Sequence, residues 1–402
     1  MIPIIPFVAA PPAMLEGSGL AAPPPLALYV HWPWCVKKCP YCDFNSHESR
    51  GDVDEAAYLA ALIADLEAAL PQIWNRPVIS VFIGGGTPSL MRGETAEALL
   101  AAIRMRVPLH PGAEVTLEAN PGTAEAAKFA AFRDAGLNRL SIGVQSFDDA
   151  KLQALGRIHD SAEARRAIEM ALRIFERVNL DLMYALPQQT LAEAERDIAI
   201  AIGAGVSHIS AYHLTLEPNT PFHRAPPPLP DDDLAADMQE MVEARLAAAD
   251  FVQYETSAFA QAKQCCQHNL NYWRFGDYLG IGAGAHSKLS NHATIWREAR
   301  HRNPRAYLSG AARGDFISTR QTVARADLPG EFMMNALRLN EGFLPRLFTE
   351  RTGLPLGAIE KSALAARRAG LLETVDQHIR PTLRGRRFLN QLLTGFLGDP
   401  GA

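Results

Sequence analysis

Cysteine is scarce in this chain, with five in 402 residues. A disulfide framework of the kind that staples small secreted proteins is therefore excluded. No run of about 18 apolar residues occurs, so no membrane-spanning helix is expected. Lys and Arg are absent from the first 25 residues. That stretch lacks both the positive segment of a signal peptide and the Arg-rich character of a transit peptide. Its seven prolines point to a flexible extension over residues 1–27. Excess charge is lacking too. The net charge is −5, and basic residues gather only late, at Arg380, Arg384, Arg386 and Arg387. Such a run reads as a solvated face, so no nucleic-acid partner is expected. Unpaired cysteines fit a reducing, cytoplasmic setting.

Three of the five cysteines lie together. Cys35, Cys39 and Cys42 have the spacing C-x3-C-x2-C. Thiolates this close in a loop can converge on one soft metal centre. On a four-iron cubane, three ligands leave one iron open to substrate. Zinc, with His31 or His47 as a fourth ligand, is the competing reading, because structural zinc fills four positions. The odd number of neighbouring cysteines speaks against a disulfide.

Hydrophobic residues make up 48% of the chain and charged residues 21%, an ordinary globular balance with enough length for a sizeable core. Strands are predicted at 28–30, 78–83, 114–118, 138–144, 178–184 and 208–216. Helices are predicted between them at 54–70, 94–105, 124–134, 162–176 and 191–202. This alternation implies right-handed βαβ units and a parallel sheet. Several strands read as nearly continuous apolar runs, which suits strands covered on both faces. Periodicity does not separate an open doubly wound sheet from a barrel. A proline run at 226–230 marks a boundary. Asp231, Asp232 and Asp233 then open a helix whose stripe of Leu234, Met238, Met241, Val242 and Leu246 faces a core. Beyond about residue 305 the pattern changes to helices at 332–339 and 363–369, a hairpin of 371–375 with 378–381, and a helix at 384–397. This is a winged-helix-like unit, a fold that does not by itself fix a function.

Glycine and polar residues gather where the strands end, at Gly84-Gly85-Gly86-Thr87, Glu118, Gln145 and Asp181. In parallel α/β folds that end carries the site. Taken singly, each of these residues also reads as a helix cap or a loop anchor. Further on, His268, Asn269, Tyr272 and Trp273 form an H-N-x-x-Y-W run beside Cys265 and Cys266. A neutral imidazole can ligate iron, and the aromatics offer flat apolar surface with polar tips. A histidine beside aromatics also reads as a satisfied core residue. Gly280, Gly282 and Gly284 lack the strand–turn–helix context of a dinucleotide motif.

With the aromatic Tyr41 ahead of its last cysteine, the cysteine loop resembles that of the radical S-adenosylmethionine (SAM) superfamily. The resemblance implies a partial (β/α)6 TIM-type barrel, open on one side, with a smaller C-terminal winged-helix-like domain. It implies a [4Fe-4S] cluster on Cys35, Cys39 and Cys42. Its open iron would chelate SAM, which one electron cleaves to a 5′-deoxyadenosyl radical. Gly85, Gly86 and Thr87 match the glycine motif that meets the SAM amino group. Carboxylates suit the cationic groups and hydroxyls of SAM, and Arg157 suits its carboxylate.

From about residue 28 to 290, and more weakly beyond, the chain is similar to the oxygen-independent coproporphyrinogen III oxidases and their heme chaperone relatives (the HemW type). That likeness implies SAM contacts at Tyr29, Glu118, Gln145, Arg157 and Asp181. His213 stands where the family often has Gln. Phe44 occupies a position where the oxidases carry a further cysteine, and H-N-x-x-Y-W resembles the heme-binding signature of the chaperones. The resemblance therefore implies a heme chaperone that holds heme through His268, Asn269, Tyr272 and Trp273. It would deliver heme to an acceptor hemoprotein such as a respiratory enzyme, with peripheral membrane contact, as a monomer or homodimer. The alternative is a coproporphyrinogen III oxidase. No catalytic residue is assigned. The expected layout is an extension at 1–27, a radical SAM core at 28–225, a family-specific extension with the heme motif at 226–305, and a C-terminal domain at 306–402.

Overall fold

The computed structural model describes residues 19–397 except Arg50, Asp52 and Ala124. Most of the expected N-terminal extension thus lies outside the described residues. Its last part is built into the fold, because Leu20 is an apolar side chain with a core to join. Leu20 is buried, and its N–H donates to His292 O at 3.0 Å.

Six parallel strands run in sequence order: β1 Leu26–Trp32, β2 Val78–Gly85, β3 Leu109–Ala119, β4 Arg139–Gln145, β5 Arg177–Tyr184 and β6 His208–His213. The helices between them are α1 Glu55–Ala69, α2 Gly93–Arg106, α3 Ala126–Ala135, α4 Asp149–Ala154, α5 Ser161–Ile174 and α6 Leu191–Gly203. Side-chain caps start several of them. Asp54 accepts from Ala57 N, and Asp160 with Glu163 and Thr190 with Glu193 form capping boxes. Gly136, at a φ of 104°, ends α3 in the left-handed conformation that glycine tolerates.

The strands are not apolar on both faces, as their sequences suggested. Leu28, Val30, Val81, Ile83, Val115, Leu117, Leu140, Ile142, Val178, Leu180 and Ile209 share one core with the helices. The residues between them carry Ser80, Thr116, Glu118, Arg139, Ser141, Asn179, Asp181, His208 and Ser210, all on the opposite, concave face. Burial is tolerable for Ser141, Asn179, Asp181, His208 and Ser210 because they bond to one another, whereas Thr116 Oγ1 has no partner.

The sheet continues past the six strands. β7 Val252–Gln253 and β8 Ala258–Ala260 add antiparallel strands beside β6, after α7 Asp232–Ala248. After α8 Gln267–Trp273, β9 Asp277–Ile281 returns to lie parallel to β1 on its other side. β10 His286–Ser290, β11 Ile295–Arg300 and β12 Ile317–Thr322 follow antiparallel. The order is β12-β11-β10-β9-β1-β2-β3-β4-β5-β6-β8-β7, twelve strands whose ends do not pair. This is the expected barrel, left open.

Packing draws the internal boundaries differently from the sequence. The proline run interrupts no core, since Val242, Leu246, Phe259 and Leu279 belong to the same cluster as β1–β6. Helix α9 Pro304–Ala311 also stays with the barrel: Tyr307 is buried and donates to Asp65 Oδ2 of α1 at 2.9 Å. A second core is built mainly from the chain after Thr322, with Leu20, Phe275 and Ile295 joining it. It gathers α10 Leu328–Ala336, α11 Pro345–Thr352, α12 Gly357–Arg368, the hairpin β13 Leu372–Val375 with β14 His378–Pro381, and α13 Leu383–Arg387 with α14 Leu389–Thr394, around Phe332, Phe343 and Phe348. The single helix expected at 384–397 is broken at Phe388, whose φ of −110° and ψ of 42° leave the helical region.

Candidate cofactor cavity

The concave face opens at the C-terminal ends of β1–β6 into a cavity of about 490 Å³. Of the sequence-predicted residues, Cys35, Cys39, Cys42, Gly85, Gly86, Thr87, Glu118, Gln145, Arg157, Asp181 and Asn269 all line it. Tyr29 does not. It lies within the barrel beside Phe82, and its hydroxyl bonds His31 Nδ1 at 2.9 Å.

The cysteine loop is held by its own backbone and by Lys38. Cys42 N donates to Cys39 O at 3.2 Å, and Ser49 N to Cys35 O at 2.9 Å. Lys38 Nζ donates to Phe44 O at 2.9 Å and to Ser46 O at 3.2 Å. All three thiols are free. Among the described residues no three His, Cys, Asp or Glu side chains lie close enough together to share one ion. The zinc reading loses its fourth ligand. His31 Nε2 is engaged with Asn45 O at 2.9 Å, and neither His31 nor His47 lines the cavity.

Opposite the loop the cavity is ionic. Gly85, at a φ of 118°, donates its N–H to Glu118 Oε2 at 3.0 Å. A side chain at Gly85 would strike the His31 ring, and one at Gly86 would strike Trp34 O, so the glycines let these segments pack together. Burial pushes Glu118 up to about 7, helped by the neighbouring charge of Asp181 and opposed by the Gly85 bond. Asp181 is raised by burial although Ser141 Oγ and Asn179 Nδ2 donate to it at 3.0 and 2.8 Å. Two carboxylates in a closed pocket favour a cationic guest, which would relieve their mutual repulsion. Arg157 supplies the opposite charge. Its Nη2 donates to Gly143 O at 2.6 Å, its Nη1 approaches Cys39 Sγ at 3.6 Å, and its buried Nε has no partner. A cationic guest with a carboxylate of its own, such as SAM, matches this distribution.

The H-N-x-x-Y-W residues do not form one surface. Helix α8 enters the barrel from below, and only Asn269 reaches the cavity. His268 is 2% exposed, packed on Phe82 and Tyr272 with ring centroids 5.0 and 5.1 Å away. Its Nδ1 bonds Ser80 Oγ at 3.0 Å, its Nε2 is buried without a partner, and burial lowers it to about 4. Tyr272 rests on Tyr278 at 4.3 Å, and Trp273 lies under the Arg338 guanidinium at 5.1 Å.

Sequence reasoning passed over the residues beneath the cavity. Glu114 accepts from Gln267 N and His268 N, each at 3.1 Å, and pairs with Arg177 at 2.9 Å. Asn179 Oδ1 accepts from Ser210 Oγ at 3.1 Å and meets His208 Nδ1 at 2.5 Å. The available signal was a polar residue at every second position, in Glu114-x-Thr116-x-Glu118 and Arg177-x-Asn179-x-Asp181.

Comparison with known proteins agrees with the fold. A model of the radical SAM superfamily matches residues 29–200, and one of the HemN C-terminal domain matches residues 323–388. The heme chaperone HemW of Escherichia coli is 47% identical over 94% of this chain and 99% of its own length. That of Mycobacterium tuberculosis is 37% identical over 96% and 99%. Among solved structures, the coproporphyrinogen III oxidase HemN of Escherichia coli superposes with a TM-score of 0.79 at 22% identity, over 93% of this chain and 90% of that one.

Proposed function

The chain belongs to the radical SAM superfamily and, within it, to the heme chaperone HemW family, and from that premise we propose that it binds heme, a [4Fe-4S] cluster and SAM and passes heme to acceptor hemoproteins. The observation that carries the reading is the near-full-length likeness to heme chaperones, at 47% identity over 94% of the chain. Likeness of fold to an oxidase at 22% identity does not compete with it.

Cys35, Cys39 and Cys42 are the residues to hold the cluster, which supplies a single electron when bound. Glu118 and Asp181 attract the cationic end of SAM, and Arg157 takes its carboxylate. Gly85, through its bond to Glu118, fixes where that carboxylate points. Gln145, at a φ of 70°, adds a polar wall at the end of β4. Phe44, 60% exposed on the cysteine loop, gives the rim an apolar surface. Among the described residues no helix is long and apolar enough to cross a membrane. The reading extends to a cytoplasmic carrier that meets a respiratory-chain acceptor at the membrane surface.

The test mixes anaerobically reconstituted protein with heme and, separately, with coproporphyrinogen III, SAM and reductant. Stoichiometric heme binding, followed by transfer to an apo-hemoprotein, is expected. Porphyrinogen turnover without heme binding would overturn the chaperone reading in favour of the oxidase.

A further inference from the structure

Helix α8 is held on three sides. At its start Glu114 accepts from Gln267 N, from His268 N and from Cys266 Sγ, the last at 3.3 Å. Inside the barrel His268 is bonded to Ser80 and packed on Phe82. On the outside the C-terminal unit closes over the end of the helix. Arg338 covers Trp273, Arg274 pairs with Glu341 at 3.4 Å, and Phe275 packs on Phe332 at 5.8 Å.

His268 Nε2 is buried without a partner, and burial keeps the ring neutral, the form that ligates iron. A wide macrocycle has no room beside a ring that is 2% exposed. Ligation by His268 therefore requires α8 to leave this seat.

The next residue faces elsewhere. Asn269 lines the cavity together with Glu118, Asp181 and Arg139. Its side-chain amide makes no hydrogen bond among the described residues, so its donors and its acceptor are open to a guest. A guest that the two carboxylates attract and that also bonds Asn269 keeps α8 seated. The state that favours this guest is the state that encloses His268, and a ligand shifts an equilibrium towards the state it binds better.

We propose that α8 couples the two ligands negatively: SAM, bonded to Asn269, holds the helix in the barrel, and heme binds when the helix moves out. The proposal rests on the reading that the chain takes heme at the H-N-x-x-Y-W run and SAM in the cavity. Binding of SAM then favours release of heme to the acceptor.

The experiment titrates hemin into the full-length, cluster-loaded protein under anaerobic conditions at rising SAM concentrations, without reductant so that SAM stays intact. The Soret band gives the hemin Kd. That Kd should rise by about fivefold or more and then level off, and hemin should weaken SAM binding by the same factor. A rise without a plateau would mean one shared site, and an unchanged or lower Kd would mean that SAM does not oppose heme; each would overturn the proposal. In Asn269→Ala the plateau ratio should fall towards one. A full ratio there, or loss of hemin binding before SAM is added, would overturn the role of Asn269 and the proposal with it. Ser80→Ala loosens the seat without touching the cavity, and it should bind hemin more tightly in the absence of SAM. Weaker binding in that variant would show that heme is taken by the seated helix and would likewise overturn the proposal. Failure of the wild-type protein to bind hemin at all would instead remove the heme reading, on which the coupling depends.

Discussion

Gly85 N–H donates to Glu118 Oε2 across 3.0 Å, joining the glycine turn after β2 to the last inward carboxylate of β3. The bond is made to an acid that burial pushes from 4.5 up to about 7. A carboxyl group raised in the folded state contributes stability below its unfolded pKa, and that stability is lost as pH rises through the folded value. The shift from 4.5 to about 7 corresponds to about 3 kcal/mol. The ligand-free protein should therefore lose stability between pH 4.5 and 7. Asp197, raised to about 6, and Glu255, raised to about 7, act in the same direction. Glu118→Gln isolates the contribution of this carboxyl group. Urea midpoints measured across that window should fall less steeply in the variant than in wild type, and SAM should bind it more weakly. Parallel pH curves would show that Glu118 is not the strained group.

A second prediction concerns Glu114, 2% exposed beneath the cavity. Burial would raise its pKa, but the Arg139 and Arg177 guanidiniums and the N–H groups of His268 and Gln267 outweigh burial and hold it down. Its contribution is present above the ordinary 4.5 and lost as pH falls below that value. Glu114→Ala leaves Arg177, its ion-pair partner at 2.9 Å, and the buried N–H groups of Gln267 and His268 without this acceptor, and should cost about 3–5 kcal/mol. Chemical denaturation measures this directly. A loss below about 1 kcal/mol, the range of exposed pairs, would mean that the network is not what fixes α8 in the barrel.

The barrel and the cysteine loop were legible in the sequence because both are local patterns. Alternating strands and helices, and three cysteines in one loop, need no tertiary information. The polar inner face was hidden by the apolar residues beside it: Leu140, Ile142 and Val144 mask Arg139, Ser141 and Gly143. The packing of the H-N-x-x-Y-W run was hidden for a related reason. Spacing puts His268 and Tyr272 on one side of a helix, but whether that side meets a ligand or a barrel wall depends on Ser80 and Phe82, far away in sequence. The junction after Thr322 was missed because β12 pairs with β11, a long-range contact with no local mark.

Gly85→Ala tests the close approach of β2 to β1. At a φ of 118° an alanine is strained, and its Cβ would collide with the His31 ring, which is pinned by Tyr29 and Asn45. A cost of about 1–3 kcal/mol is expected. The Glu118 bond should be disturbed as well. Thermal melting should therefore fall together with SAM affinity. A variant that melts early but binds SAM normally would separate the turn from the site.

Lys38 tests whether the cysteine loop is ordered before metal arrives. Its Nζ reaches two carbonyls, Phe44 O and Ser46 O, while its backbone N–H meets Glu48 Oε1 at 3.1 Å. These bonds close the segment that carries Cys39 and Cys42. The Lys38 contacts are largely at the surface, so Lys38→Met should change global stability by less than about 1 kcal/mol. The local effect differs. Without the clamp the loop samples more conformations, and the thiolates must lose that freedom when a cluster forms. Iron content after a timed anaerobic reconstitution should drop in Lys38→Met and recover in part in Lys38→Arg, which keeps a donor at that position. Equal iron uptake in all three proteins would mean that the backbone bonds of Cys42 and Ser49 suffice to order the loop.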